Sequence, residues 1–252
     1  MDFPLEVLLS LFIVAVLAGW IDTIAGGGGM LTIPALLIAG IPPSVTIATN
    51  KLQGSCGTLM ATVIFIKKKE ISFKDMRLPI LMTFLGSVLG GWLVSQIQAE
   101  YLVMILPFML ITIGLYFLFS PNISNEDRQM KISMVLFSLI AAPLLGFYDG
   151  FFGPGTGSLM ALAFILLCGY SAPRATANAK ILNFTSNLAA LLYFIFFGQI
   201  NWAVGFVMML GQFIGSFFGA RMVINKGASL IRPIVITVCF VMAIRILWQS
   251  FA

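Results

Sequence analysis

The sequence predicts an all-α, polytopic membrane protein built from two inverted-topology repeats of about five hydrophobic segments each, with broken or re-entrant helices at two glycine-rich motifs. Three observations predict it. The 252 residues are 60% hydrophobic and 9% charged, against about 25% charged in a soluble domain, so too few charges exist to build a water-facing surface. The apolar runs are continuous rather than alternating, which selects helices over a barrel. Finally, the chain repeats itself. Gly19, Asp22, Gly26 and Gly28 fall on Gly146, Asp149, Gly153 and Gly155, and Lys51, Gly86 and Gly90 fall on Lys180, Gly215 and Gly219, with an offset drifting only from 127 to 129. In a chain this poor in charge, a shared Asp and a shared Lys mark a duplication.

In the first repeat, residues 1–119, the apolar segments are 4–25, 29–41, 43–66, 78–98 and 101–119. In the second, residues 131–252, they are 131–152, 157–170, 172–197, 203–224 and 228–251. A polar linker, 120–130, joins the two. The second segment of each repeat is shorter than the roughly 20 residues a span needs, and glycines bound it. It reads as a half-helix or re-entrant element; three spans plus a hairpin and five spans per repeat both give the odd number of crossings an inverted pair needs. The first apolar run lacks the basic start of a secretory signal, since Lys51 is the first cation, and is expected to be retained structure.

Loop charge sets direction. The 67–77 connection carries Lys67, Lys68, Lys69, Lys74 and Arg77, while its counterpart 198–201 has none. The 96–101 connection has only Glu100, while its counterpart 221–232 has Arg221, Lys226 and Arg232. The bias flips between repeats at both loops, as an inverted pair requires. It predicts a bacterial-type inner membrane protein with both termini outside and the linker in the cytoplasm. Arg174 and Arg245 are expected near the interfaces.

Several classes are excluded or disfavoured. There is no histidine, and Cys56, Cys168 and Cys239 lie singly in apolar runs, so no metal site and no cofactor are expected and the cysteines read as packing residues. The net charge of +5 sits at span ends, which argues against nucleic acid. No P-loop is present, so energy is expected from an ion gradient, carried by a proton or sodium.

The candidate site lies at the glycines. Gly26, Gly27, Gly28 and Gly29 in one helix would cost roughly 1 kcal/mol each relative to alanine, so the helix is expected to open there and restart near Thr32 and Pro34. A restarted helix offers bare N–H groups and a positive dipole end to an anion. Gly153, Gly155, Thr156 and Gly157 repeat this character around Pro154. The isolated Gly86, Gly90, Gly215 and Gly219 read as close-packing positions. Asp22, Asp149, Lys51 and Lys180 lie within apolar segments, where a charge costs about 2.5–3.5 kcal/mol and must face protein or water. The lysines are expected to neutralise a small anionic substrate, and the aspartates to serve coupling or gating. In the structural alternative Asp22 pairs with Lys51 and Asp149 with Lys180; such pairs could also open on substrate arrival. Thr49, Asn50 and Gln53 flank one lysine, and Asn178, Asn183, Ser186 and Asn187 the other. Asn183 and Asn187 share a helix face, suited equally to a substrate path or to interhelical bonds. Alanine at either lysine is expected to abolish transport without unfolding the chain.

The run Ala25-Gly26-Gly27-Gly28-Gly29-Met30-Leu31-Thr32-Ile33-Pro34, followed by Gly40-Ile41-Pro42-Pro43 and Ala48-Thr49-Asn50-Lys51, resembles the signature of the TauE/SafE sulfite exporter family. Gly153-Pro154-Gly155-Thr156-Gly157 and Ala175-Thr176-Ala177-Asn178-Ala179-Lys180 resemble it more loosely. The resemblance implies export of sulfite or an organosulfonate such as sulfoacetate by an inner-membrane permease. The residues themselves ask for a secondary transporter of a small anion working by alternating access, rather than an enzyme. An anion channel shares the broken helices. An intramembrane aspartyl protease has only Phe147-Tyr148-Asp149 in its favour and lacks the partner Gly-x-Gly-Asp element. A membrane chaperone needs no buried charge. The sequence is compatible with a homodimer.

Overall fold

The structure is a computed structural model and describes residues 3–68, 71, 73–98 and 127–226, with scattered positions from 100 to 112. The predicted segments 101–119 and 228–251, most of the linker, Cys239, Arg232 and Arg245 lie largely or wholly outside the described residues. Within them the protein is helical throughout, with no strand. The first repeat gives α1 (Leu5–Ala25), α2 (Gly29–Ile38), α3 (Pro43–Lys67) and α4 (Phe73–Ser95). The second gives α5 (Met134–Phe151), α6 (Thr156–Cys168), α7 (Ala172–Phe197) and α8 (Trp202–Lys226). α1, α4, α5, α7 and α8 are long and apolar enough to cross a membrane; α3 is as long, at 25 residues, but carries the polar run around Lys51. This is a multi-pass membrane protein.

The short helices cannot span. With 10 and 13 residues, α2 and α6 reach about 15 and 20 Å, against a hydrocarbon core about 30 Å thick. Each doubles back on the helix before it. Val7 and Leu8 near the start of α1 cluster with Leu36 and Ala39 at the end of α2, while Ile21 and Ile24 meet Met30 and Leu31 at the tip. In the second repeat Phe137, early in α5, stacks on Phe164, late in α6, at 4.5 Å.

The break falls where the glycines predict, with one refinement. α1 ends at Ala25, and Gly26 takes the left-handed conformation at φ 71°, which glycine alone adopts without strain. α2 then restarts at Gly29, three residues before Thr32, because the Gly27 and Gly28 carbonyls already accept the first-turn N–H groups of Met30, Leu31 and Thr32. Pro34 therefore sits inside α2. In the second copy Gly153 (φ 98°) and Gly155 (φ 76°) both take positive φ before α6.

The two repeats interlock. α1 packs most extensively on α8, and α4 on α5. Gly211, Gly215 and Gly219 lie against Phe12, Val16 and Trp20, and Gly86 and Gly90 against Pro143 and Phe147. Both pairs advance in step, so α1 runs parallel to α8 and α4 parallel to α5. The isolated glycines are close-packing positions: a Cβ on Gly219 would stand 2.7 Å from the Trp20 carbonyl oxygen. α3 packs on α7 and α8, and α7 also on α4, so each long polar helix lies against the opposite repeat. Exposed Leu9, Ile13, Leu17, Leu85, Leu89, Phe206 and Leu210 form the apolar outside, as a lipid-facing surface requires.

Candidate functional site

The two glycine breaks meet. A Cβ added to Gly157 would stand 2.7 Å from the Gly26 Cα, and one on Gly29 would stand 3.3 Å from the Pro154 Cα. Lys51 and Lys180 reach this junction because each lies eight residues into a long helix, after Pro43 and Ala172 respectively, about 12 Å along its axis.

Both lysines are buried, at 0% and 1% exposure, and both are ion-paired. The pairing crosses between repeats: Lys51 Nζ lies 3.1 Å from Asp149 Oδ1, and Lys180 Nζ 3.0 Å from Asp22 Oδ2. The pairs of the structural alternative, Asp22 with Lys51 and Asp149 with Lys180 within each repeat, are not formed. The reason is the interlocking: α3 and α7 each turn the lysine-bearing face toward the other repeat. Each ammonium also donates to the backbone carbonyl of the same aspartate. Those carbonyls belong to the last turns of α5 and α1, where the helix dipole favours a cation and disfavours the aspartate alone. Each lysine thus caps the first helix of the opposite repeat and offsets its carboxylate.

The start of α2 is already occupied by an anion of the protein's own: the Gly28 N–H donates to Asp22 Oδ1 at 3.1 Å. A small polar cavity, with room for about one or two waters, lies beside the junction. Asp22, Gly28, Gly29, Asn50, Gly54, Thr58, Asp149, Gly153, Asn183, Asn187 and Gln212 line it. Neither lysine belongs to this lining, although the Lys51 head lies against Gly153.

The polar side chains are held for donation or acceptance. Asn50 Oδ1 accepts from the Thr32 hydroxyl at 2.6 Å and from Gln53 Nε2 at 3.2 Å, which leaves the Asn50 amide nitrogen on the side of Gly29. Asn187 Nδ2 donates to Asn183 Oδ1 at 2.8 Å and to the Asn183 carbonyl. Of the sequence-derived candidates, Gly28, Gly29, Asn50, Gly153, Asn183, Asn187, Asp22 and Asp149 reach the cavity wall. Gly26, Gly27, Gly155, Thr156 and Gly157 shape the break behind it, and Thr32 positions Asn50. Asn178 is turned away, its amide donating to the Arg174 carbonyl one helical turn back. Gly54, Thr58 and Gln212 were not singled out by the sequence reading. Asn50, Gly54 and Thr58 recur every fourth residue on α3, and Gln212 is a lone amide in an apolar run; those are the signals that mark them. Among the described residues no cluster of acidic, Cys or His side chains could hold a metal, and Cys56 and Cys168 are unpaired. Arg174 lies at the exposed start of α7, stacked 3.9 Å over the Tyr170 ring and paired with Asp127 at 2.9 Å.

Two broken helices meeting at buried, paired charges inside an apolar helical bundle define the architecture of a membrane transporter. The comparisons agree. The family model described as Sulfite exporter TauE/SafE matches residues 11–246, and the chain belongs to that family. It is 53% identical over 240 residues to a probable membrane transporter protein, YfcA, of Escherichia coli (strain K12), covering 95% of this chain and 89% of that one. It is 48% identical over 250 residues to a probable membrane transporter protein of Haemophilus influenzae, covering 99% and 98%. More distantly, it is 24% identical over 245 residues to YunE of Bacillus subtilis, also a probable membrane transporter protein, covering 87% and 88%.

Proposed function

We propose that this protein is a secondary transporter of a small anion, sulfite or an organosulfonate such as sulfoacetate, working by alternating access in a bacterial inner membrane and driven by an ion gradient. The observation that carries this reading is the crossed set of buried ion pairs where the two helix breaks meet. Two ammonium groups in a dry site attract an anion strongly once their own carboxylates let go. An anion that displaces Asp149 from Lys51, or Asp22 from Lys180, loosens contacts that tie the two repeats together. Substrate arrival and movement of one repeat against the other are thereby linked. The family description favours a sulfur oxyanion.

An inverted relation between the repeats is part of the proposal. Short connections reverse the chain from helix to helix, so α1 and α4 run oppositely, as do α5 and α8. Since α1 lies parallel to α8, it runs opposite to α5, its own counterpart. This supports two inverted units, 1–119 and 131–252, as the bodies that rock, and both termini outside follows from the loop charges.

Counterflow in proteoliposomes tests the reading. Vesicles loaded with unlabelled sulfite should take up labelled external sulfite, with sulfoacetate competing and chloride not. No counterflow with any sulfur oxyanion or sulfonate rejects the substrate class. Flux orders of magnitude above carrier turnover points to a channel instead.

A further inference from the structure

We propose that the two repeat-related aspartates are not equivalent: Asp149 takes up the coupling proton, on Oδ2, and Asp22 is a fixed strut. This deepens the transport reading and rests on it. The difference lies in what the four carboxylate oxygens touch. Both oxygens of Asp22 are engaged, Oδ2 with Lys180 and Oδ1 with the Gly28 N–H at 3.1 Å. A proton on either oxygen would therefore compete with a donor already in place. Asp149 has Oδ1 on Lys51, but its Oδ2 is buried without a hydrogen-bond partner. The residue is only 2% exposed and belongs to the cavity wall, beside the amides of Asn50, Asn183 and Asn187. A buried acceptor left unmatched is costly, more so when it is charged, and a proton on Oδ2 discharges the group at an oxygen that holds no donor.

The charges that face Asp149 explain what the proton does. Lys51 from α3 pairs with Asp149 directly, and Asp22 from α1, itself paired with Lys180 from α7, lines the same cavity. α4 presents Ser87 and Gly90 to this part of α5 and, among the described residues, no charge. The four charged groups sum to zero. A monoanion entering alone leaves the cluster with an uncompensated negative charge, which is costly in a dry site. If a bulk proton forms an O–H bond with Asp149 Oδ2, the carboxylate is discharged, the Lys51 ammonium is released and the entering anion becomes its partner. When the anion leaves, Asp149 rebinds Lys51 and returns the proton to the side on which the anion left. Anion and proton therefore move together, one proton with each monoanion.

Infrared difference spectroscopy of the full reconstituted chain tests the assignment without any substrate. On acidification the wild type should gain the carbonyl band of a protonated buried carboxyl group. The band should persist in D22N and vanish in D149N. The double variant K51M/D149N removes both members of the pair, so it measures the same loss should D149N alone fail to fold. A band that survives in the double variant, or that vanishes in D22N alone, overturns the proposal. In wild-type vesicles clamped at zero potential, a pH gradient should drive sulfite accumulation and a sodium gradient should not; accumulation driven by sodium alone also overturns it. Absence of sulfite counterflow in the wild type would instead count against the transport reading, whatever the infrared band does.

Discussion

Lys51 of the first repeat is the counter-ion of Asp149 in the second, 3.1 Å away, with both side chains essentially out of reach of solvent. Removing one member of a buried pair strands the other and typically costs 3–5 kcal/mol, whereas removing both for well-packed neutral groups is close to neutral. K51A is therefore expected to lower stability by about 3–5 kcal/mol, contrary to the sequence-based expectation that it leaves folding intact. K51M/D149N is expected to recover most of that loss. Both should lack sulfite counterflow. Thermal unfolding in detergent, alongside flux, reads the two effects separately; a double variant as unstable as K51A refutes the pairing energetics.

The junction of the breaks leaves no room for a methyl group. A Cβ on Gly26 would collide with the backbone of Gly157 and Ser158, at a residue whose φ of 71° already disfavours any side chain. G26A should abolish counterflow and lower the yield of folded protein. Gly40 is the control: its φ is 82°, yet nothing lies within 4 Å of the added carbon. G40A should show only the conformational cost, about 1–2 kcal/mol, with flux retained. Equal damage from the two would mean that backbone strain, not contact, governs Gly26.

The order and length of the eight described helices were legible because apolar runs and glycines punctuate this chain sharply. Position 22 shows what was not legible. That Asp22 must face protein or water followed from its apolar surroundings, but which lysine it meets depends on how α3 and α7 cross between repeats, and no local pattern encodes that. Asn178 shows the converse. It sits beside Lys180 in sequence, yet two residues along a helix turn a side chain by about half a circle, so proximity in the chain did not bring it to the cavity. Gly54 and Asn187 complement each other across α3 and α7: a Cβ on Gly54 would stand 2.9 Å from Asn187 Oδ1. That asymmetry is invisible to a comparison that looks for matches between repeats.

The parallel pairs α1–α8 and α4–α5 depend on glycines facing carbonyl groups. G215A puts a methyl into the Val16 carbonyl, and G90A does the same at Phe147. Overpacking of this kind costs roughly 1–3 kcal/mol. G91A is expected to be much milder, since its nearest neighbour is the Tyr193 ring at 3.4 Å. Melting temperatures of the three variants check the order; a G91A as destabilised as G90A would count against these interfaces.

Asp127 precedes α5 and is exposed. The Ser171 backbone N–H, donating to Oδ1 at 2.6 Å, holds its carboxyl below the ordinary value of 3.8, with help from the Ser171 side chain and Arg174. A carboxyl lowered on folding contributes stability above its unfolded pKa and loses it as the pH falls through the folded one. The wild type should be slightly more stable than D127N at neutral pH, by under about 1 kcal/mol for so exposed a pair. The difference should close as the pH drops below about 4. Parallel melts of the two proteins from pH 7 to 3 follow this, and a gap that widens on acidification would contradict the assignment.

Asn187 and Asn178 lie nine residues apart on α7 and are both buried, yet they have different surroundings. Asn187 lines the cavity and fixes Asn183 through two hydrogen bonds, whereas Asn178 bonds only to its own helix. Asn187 spends both amide hydrogens on Asn183, so it acts by holding that side chain in the cavity wall, and losing two such buried hydrogen bonds costs about 1.5–3 kcal/mol, or roughly ten- to hundredfold in affinity. N187A should therefore raise the half-saturating sulfite concentration by at least about tenfold, while N178A should leave it within about twofold. Concentration-dependent counterflow separates the two. If N178A is the more damaging, the anion path runs along the other face of α7 and the cavity described here is not part of it.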